Sequence, residues 1–350
     1  MKKLWCWLLL TLICTGCSAL PAEERSFAVA MGVQRSGDTW EVSARMPTYQ
    51  TGGGYMTASA RGNSLEEALA LLDATSPMQV HLGQLRMVVF HEGIAASQDF
   101  FAALDALAHR EDFRLQAVIC ITDDPVQDLM DKLEPATGSR LSKSLDVLLE
   151  ARREQGVITA LTLSDIQRMG ERQSPVLTAV ALEDDANVSR PGMDASAGNQ
   201  AAKGAGKVQF GGGWMVSTSG SAKGTLTAGE VQLLSLMAGT LKKGMLALDG
   251  GTVTIMDAGA QTSLDGNTAS CRITLRSTSS AWTEGELIFG LRQACEAVTA
   301  KLAAAGCDAL GVGRRAIRHF ADMKQWRLLD WPALYPQIQW DITVHAQRAA

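Results

Sequence analysis

The chain has 350 residues, 46% of them hydrophobic and 20% charged, with 32 basic against 37 acidic side chains and a formal net charge of −5. Those proportions describe a globular chain long enough for two or three cored domains, and they exclude a disordered or collagen-like polymer. A mildly acidic chain without a basic stripe is not shaped for nucleic acid or for an anionic membrane surface.

The amino end decides where the rest must work. Lys2 and Lys3 precede an almost wholly apolar run from Leu4 to Ile13, followed by Thr15, Gly16 and Cys17. This is the layout of a secretory signal peptide covering residues 1–16. Its apolar run is about half the roughly 20 residues a helix needs to span the hydrocarbon core, so cleavage is expected rather than retention. A small residue directly before a cysteine is the form of a bacterial lipobox, with Cys17 as the acyl acceptor; Cys14 stands where leucine is usual. Loss of Lys2 and Lys3 leaves 30 basic against 37 acidic residues.

Past a polar tether, the alternation of Phe27, Val29, Met31 and Val33 predicts a strand. A turn at Arg35-Ser36-Gly37-Asp38 and the alternation of Trp40, Val42, Ala44 and Met46 complete a hairpin with one buried face. Ser64 and Glu67 form a capping box at the head of a helix over 64–74, with Leu65, Ala68, Leu69 and Leu72 on one side. A buried strand over 85–91 and a helix over 98–109 with Phe101, Leu104 and Ala108 as its stripe come next. Then follow a strand over 115–121 and a helix opened by a capping Asp124 and Pro125. Helices over 141–155 and from Ser164, and a strand over 176–182, complete an alternating α/β region, expected as two subdomains over 17–186.

Between Glu183 and Gly206 the composition turns polar and small, so residues 187–206 are expected as a linker and 207–350 as a C-terminal domain. Val208 to Val216 alternates as a strand carrying glycines where neighbours come close. Thr227 and Glu230 repeat the capping box. Strands around Val253 and Ala269 to Leu275 are joined by a turn at Asp265-Gly266. Thr283 and Glu286 cap a long helix that Gly306 ends, and Ile338, Trp340, Ile342 and Val344 mark a last strand. The fold class is therefore α/β with mixed sheets, in several domains, with an antiparallel sheet and a long helix in the second half.

Catalytic motifs are few. Gly311-Val312-Gly313-Arg314-Arg315-Ala316 has the letters of a dinucleotide fingerprint, but it follows a helix instead of opening a βαβ unit. His81, His91, His109, His319 and His345 are scattered without metal-ligand spacing. Neither a nucleophile elbow nor a P-loop occurs, so no catalytic, cofactor or metal residue is assigned. The run Glu183-Asp184-Asp185 reads as solvated acid. Cys120 and Cys271 sit in apolar or alternating runs and read as core; Cys295 and Cys307 are open to pairing after export. Trp326, Trp331, Tyr335 and Trp340 crowd the last stretch and are expected to lock it into the core.

The order of several motifs resembles one family. Glu24-Arg25-Ser26-Phe27-Ala28-Val29-Ala30-Met31-Gly32-Val33 is similar to the opening strand of the Ger(x)C spore germination lipoproteins. His81-Leu82-Gly83-Gln84-Leu85-Arg86-Met87-Val88-Val89-Phe90 and Arg110-Glu111-Asp112-Phe113-Arg114 resemble its next two signatures. Asp308-Ala309-Leu310-Gly311-Val312-Gly313 with Trp326, Trp331 and Tyr335-Pro336 resembles its closing one. Departures are the absence of a tryptophan after the anchor cysteine, Gln34 in place of an aspartate, and the polar stretch 217–224. The resemblance implies a non-enzymatic, cofactor-free germinant-receptor subunit of α/β fold. It also implies a lipid anchor at Cys17 on the outer face of the inner spore membrane, beside two integral membrane subunits. It names no small-molecule ligand. The alternative from another class is a substrate-binding lipoprotein of a transporter, which requires a ligand cleft.

Overall fold

The structure, a computed structural model, describes residues 24–48, 54–135, 140–169, 173–183, 207–217, 221–248, 251–278, 282–316, 328 and 330–348. The signal segment, Cys17, the expected linker 187–206, His319 and Trp326 lie outside the described residues.

In chain order the strands are β1 (Arg25–Phe27), β2 (Ala30–Ser36), β3 (Thr39–Pro47), β4 (Tyr55–Gly62), β5 (Gln79–His81), β6 (Met87–His91) and β7 (Val118–Thr122). They continue with β8 (Val176–Leu182), β9 (Val208–Val216), β10 (Ala222–Leu226), β11 (Gly244–Leu248), β12 (Gly251–Asp265), β13 (Thr268–Thr278) and β14 (Gln339–Arg348). The helices are α1 (Leu65–Thr75), α2 (Glu92–Ala95), α3 (Asp99–Ala108), α4 (Val126–Lys132), α5 (Leu141–Glu154), α6 (Leu163–Met169), α7 (Ala228–Met237), α8 (Glu284–Ala305), α9 (Val312–Ala316) and α10 (Trp331–Leu334).

Eight strands form one mixed sheet in the order β10-β9-β8-β7-β6-β2-β3-β4. Its middle, β8-β7-β6-β2, is parallel, and antiparallel strands finish both sides. Helices cover both faces, so the central strands are mostly apolar where they pair. The two-residue strand period divides their side chains between two cores. Val88, Phe90, Ile119 and Ile121 pack beneath α1 and α3, whereas Met87, Val89, Val118 and Cys120 pack beneath α4 and α5. Phe90 meets Phe100 edge to face at 5.2 Å between ring centroids.

The same two-sided burial corrects the expected hairpin. β2 and β3 are joined through Gly37, at φ 59°, but both faces of β3 are covered, and Glu41, Ser43 and Arg45 are buried with its apolar residues. Arg45 is satisfied there by the Leu133 carbonyl at 3.1 Å and the Thr57 hydroxyl at 3.1 Å. The opening strand is also broken at Ala28–Val29, and β1 leaves the large sheet to pair with β5. In α3 the buried stripe is Phe100, Ala103, Leu104 and Leu107; Leu104 is inside as expected, but Phe100 and Leu107 take the places expected of Phe101 and Ala108, and Phe101 is left exposed.

Strand pairing crosses the expected linker. β9, the first strand after it, pairs antiparallel with β8, and β10 adds outside β9. Gly213 makes the approach possible, for a Cβ there would stand 2.5 Å from Val176 Cγ1. The second sheet therefore begins at β11, in the order β11-β12-β13-β14. It is antiparallel through β13, as expected, but β14 joins β13 in parallel over ten residue pairs. The physical reason is the crossover: α8 carries the chain back along the sheet, so the next strand runs in the same sense. Capping boxes at Thr227 and Thr283 start α7 and α8, and Gly306, at φ 63°, ends α8. The core beneath this sheet also takes in Val176 and Met215 of the large sheet, which joins the two halves of the chain.

Candidate functional site

The closing signature is a buried knot at the end of α8. Leu302 and Cys307 are inside, and Asp308, also fully buried, turns its carboxylate onto the start of α9. It accepts from the amides of Val312 at 2.8 Å and Gly313 at 2.6 Å, and from the Trp331 indole N–H at 3.2 Å. Burial raises its pKa from the ordinary 3.8 to about 6, against the opposing pull of those hydrogen bonds. Burial likewise pushes Tyr335, stacked at a tilt 5.9 Å from Trp331, well above its usual value. The Asp308 carbonyl accepts from the Ser174 amide at 3.3 Å, so the knot fastens the segment leading into β8. Trp331 and Tyr335 thus lie in the core, as expected, and Trp340 packs partly buried against it.

This arrangement disposes of the dinucleotide reading of Gly311-Val312-Gly313. The amides that would face a phosphate are taken by the chain's own carboxylate, and a helix precedes the loop. The histidines are equally local. His81 and His91 each accept a backbone amide two residues on, from Gly83 and Gly93, at 3.1 Å. Among the described residues no group of three His, Cys, Asp or Glu side chains is placed to hold a metal ion. Cys120, Cys271, Cys295 and Cys307 are all free and buried, which leaves the Cys295–Cys307 pairing unmade. Asp124 does not cap α4; its carboxylate accepts from the Leu182 amide at 2.6 Å and binds the end of β8 to the end of β7.

Two concavities flank the C-terminal part of α5. One chamber, of about 310 Å3, lies at the leading ends of β6 and β7, between Arg86, Arg114 and Gln116 on one side and Asp146, Leu149 and Glu150 on the other. A second chamber, of about 390 Å3, is more apolar, with Ile158, Leu161, Met169 and Leu234 in its walls. The two share Arg153, Ala160 and Asp165. Ala160 has φ 47°, a left-handed conformation that costs a non-glycine residue roughly 1–2 kcal/mol. Sequence reading missed this site, because its members come from four separate segments. The one available signal was a charged residue just ahead of each apolar strand, Arg86 before β6 and Arg114 before β7.

Comparison with known proteins identifies the N-terminal domain. Residues 19–182 match the family described as the spore germination protein N-terminal domain. Over that stretch the chain carries a spore germination protein N-terminal domain of the Ger(x)C type. Among solved structures, the crystal structure of the GerBC protein superposes with a TM-score of 0.52 at 13% identity, over 91% of this chain and 97% of that one. At that identity the likeness carries the fold alone, over most of the chain and well past residue 182. No curated protein matches the chain. The matched domain ties the chain to spore germination.

Proposed function

We propose that this germination protein is a lipid-anchored, non-enzymatic subunit of a nutrient germinant receptor. Acylated Cys17 holds it on the outer face of the inner spore membrane, where it works through contacts with two integral membrane subunits. The observation that carries the reading is the germination-family match beginning at residue 19, two positions after the cysteine of Thr15-Gly16-Cys17. Among the described residues no helix is long and apolar enough to cross a membrane. Membrane residence then rests on the anchor, to which each buried methylene contributes about 0.8 kcal/mol; one acyl chain binds marginally and two bind stably.

Tethering has a physical use for a receptor subunit. It confines the folded body near its partners and raises its effective concentration to the millimolar range typical of short flexible linkers, so that weak contacts suffice for assembly. The test is the Cys17→Ala variant expressed in spores. The folded protein is expected to leave the membrane fraction, and undiminished retention would refute the anchor.

A further inference from the structure

We propose that the chamber between α5 and the leading ends of β6 and β7 is a binding site for a small aliphatic carboxylate, held by Arg86 and Arg114. The argument begins from its charges. Arg153 is paired with Glu150 through two hydrogen bonds, at 3.0 and 2.6 Å. Asp165 accepts from Thr162 and lies 3.6 Å from Arg168. Asp146 faces Arg86 at 3.4 Å. Each acid of the chamber therefore has a partner, and Arg114 remains, with no hydrogen bond or ion pair from its guanidinium among the described residues.

Partial burial disfavours the charged form of Arg114, and the like charge of Arg86 works in the same direction, against a smaller opposing pull from Asp146. The Arg86 Nε–H is buried without an acceptor. An unmet buried donor and an unpaired cation in one concavity call for the same thing, an anionic oxygen. A planar carboxylate fits the guanidinium fork in a way that a spherical anion does not. Val118, Leu149 and Ala160 supply apolar wall beside these cations, which suits a short carbon chain attached to the carboxylate. The chamber lies at the opposite end of the parallel strands from the crevice where open α/β sheets usually take ligands, so fold analogy lends it nothing. The proposal stands apart from the receptor reading, and its failure would leave family and anchor untouched.

The experiment is calorimetric titration of the full chain in detergent with hexanoate, acetate, hexanol and inorganic phosphate. Hexanoate is expected to bind more tightly than acetate, with hexanol and phosphate at least tenfold weaker than hexanoate. Arg114→Gln is expected to weaken hexanoate at least tenfold, and so is Gln116→Glu, which places a negative charge at the exposed rim and threatens folding less. Arg292→Gln, on the exposed face of α8, should change nothing. Absence of hexanoate binding, phosphate binding as tight as hexanoate, or hexanoate binding that neither Arg114→Gln nor Gln116→Glu weakens would each overturn the proposal.

Discussion

The buried carboxylate of Asp308 predicts an inverted pH dependence of stability. Its hydrogen bonds to Val312, Gly313 and Trp331 favour the charged form, but removal from water outweighs them and the carboxyl titrates near 6 in the folded chain against 3.8 when exposed. The folded protein therefore holds more protons than the unfolded one between those two values. Its contribution to stability is fully present below pH 3.8 and is lost as pH rises through 6, by at most about 3 kcal/mol. The perturbation is Asp308→Asn, which keeps the shape and removes the titration. Urea unfolding of wild type and variant at half-unit steps from pH 4 to 7.5 isolates the effect, since all other titrating groups cancel in the difference. The unfolding free energy of wild type should fall relative to that of the variant as pH rises. Parallel profiles, or a wild type that gains on the variant with pH, would mean that the hydrogen bonds outweigh burial and would refute the reasoning.

Other perturbations report on the frame around the knot. Gly213→Ala drives a Cβ toward Val176 Cγ1 and the Leu177 carbonyl, and should destabilise the β8–β9 junction by about 1–3 kcal/mol in denaturant titration. Thr283→Ala removes the hydroxyl that accepts from the Glu286 amide at 3.3 Å and should cost about 1 kcal/mol, read as a lower melting temperature. Burial raises the pKa of Cys120, Cys295 and Cys307, so these thiols should resist a thiol reagent at pH 8 and react once urea unfolds the chain. Rapid labelling of all three in the folded protein would contradict their placement in the cores.

Local chemistry was the part of the fold most plainly written in the sequence. The Thr-x-x-Glu pairs at Thr227 and Thr283 name their helix starts because each box satisfies backbone donors with side chains three residues apart. Ser64 accepts the Glu67 amide as expected, but the Glu67 carboxylate reaches past it to the Asn63 amide at 2.7 Å. What was not legible depended on partners distant in sequence. Phe100 rather than Phe101 is buried because Phe90 stands across from it, a contact that spacing within α3 cannot reveal. Asp124 binds Leu182, 58 residues on, so its proximity to Pro125 suggested a cap that does not form. The composition shift at Glu183 to Gly206 marks a change in chain character but carries no information about which sheet receives β9. The candidate ligand site was hidden for the same reason, since Arg86, Arg114, Asp146 and Ala160 converge only in the folded chain.

The receptor reading is tested most directly by isolating the native protein from spore inner membranes under mild detergent and identifying what travels with it. The account predicts two integral membrane subunits in constant ratio to this chain, released together with it. Recovery of the protein as a lone, freely soluble species would contradict it.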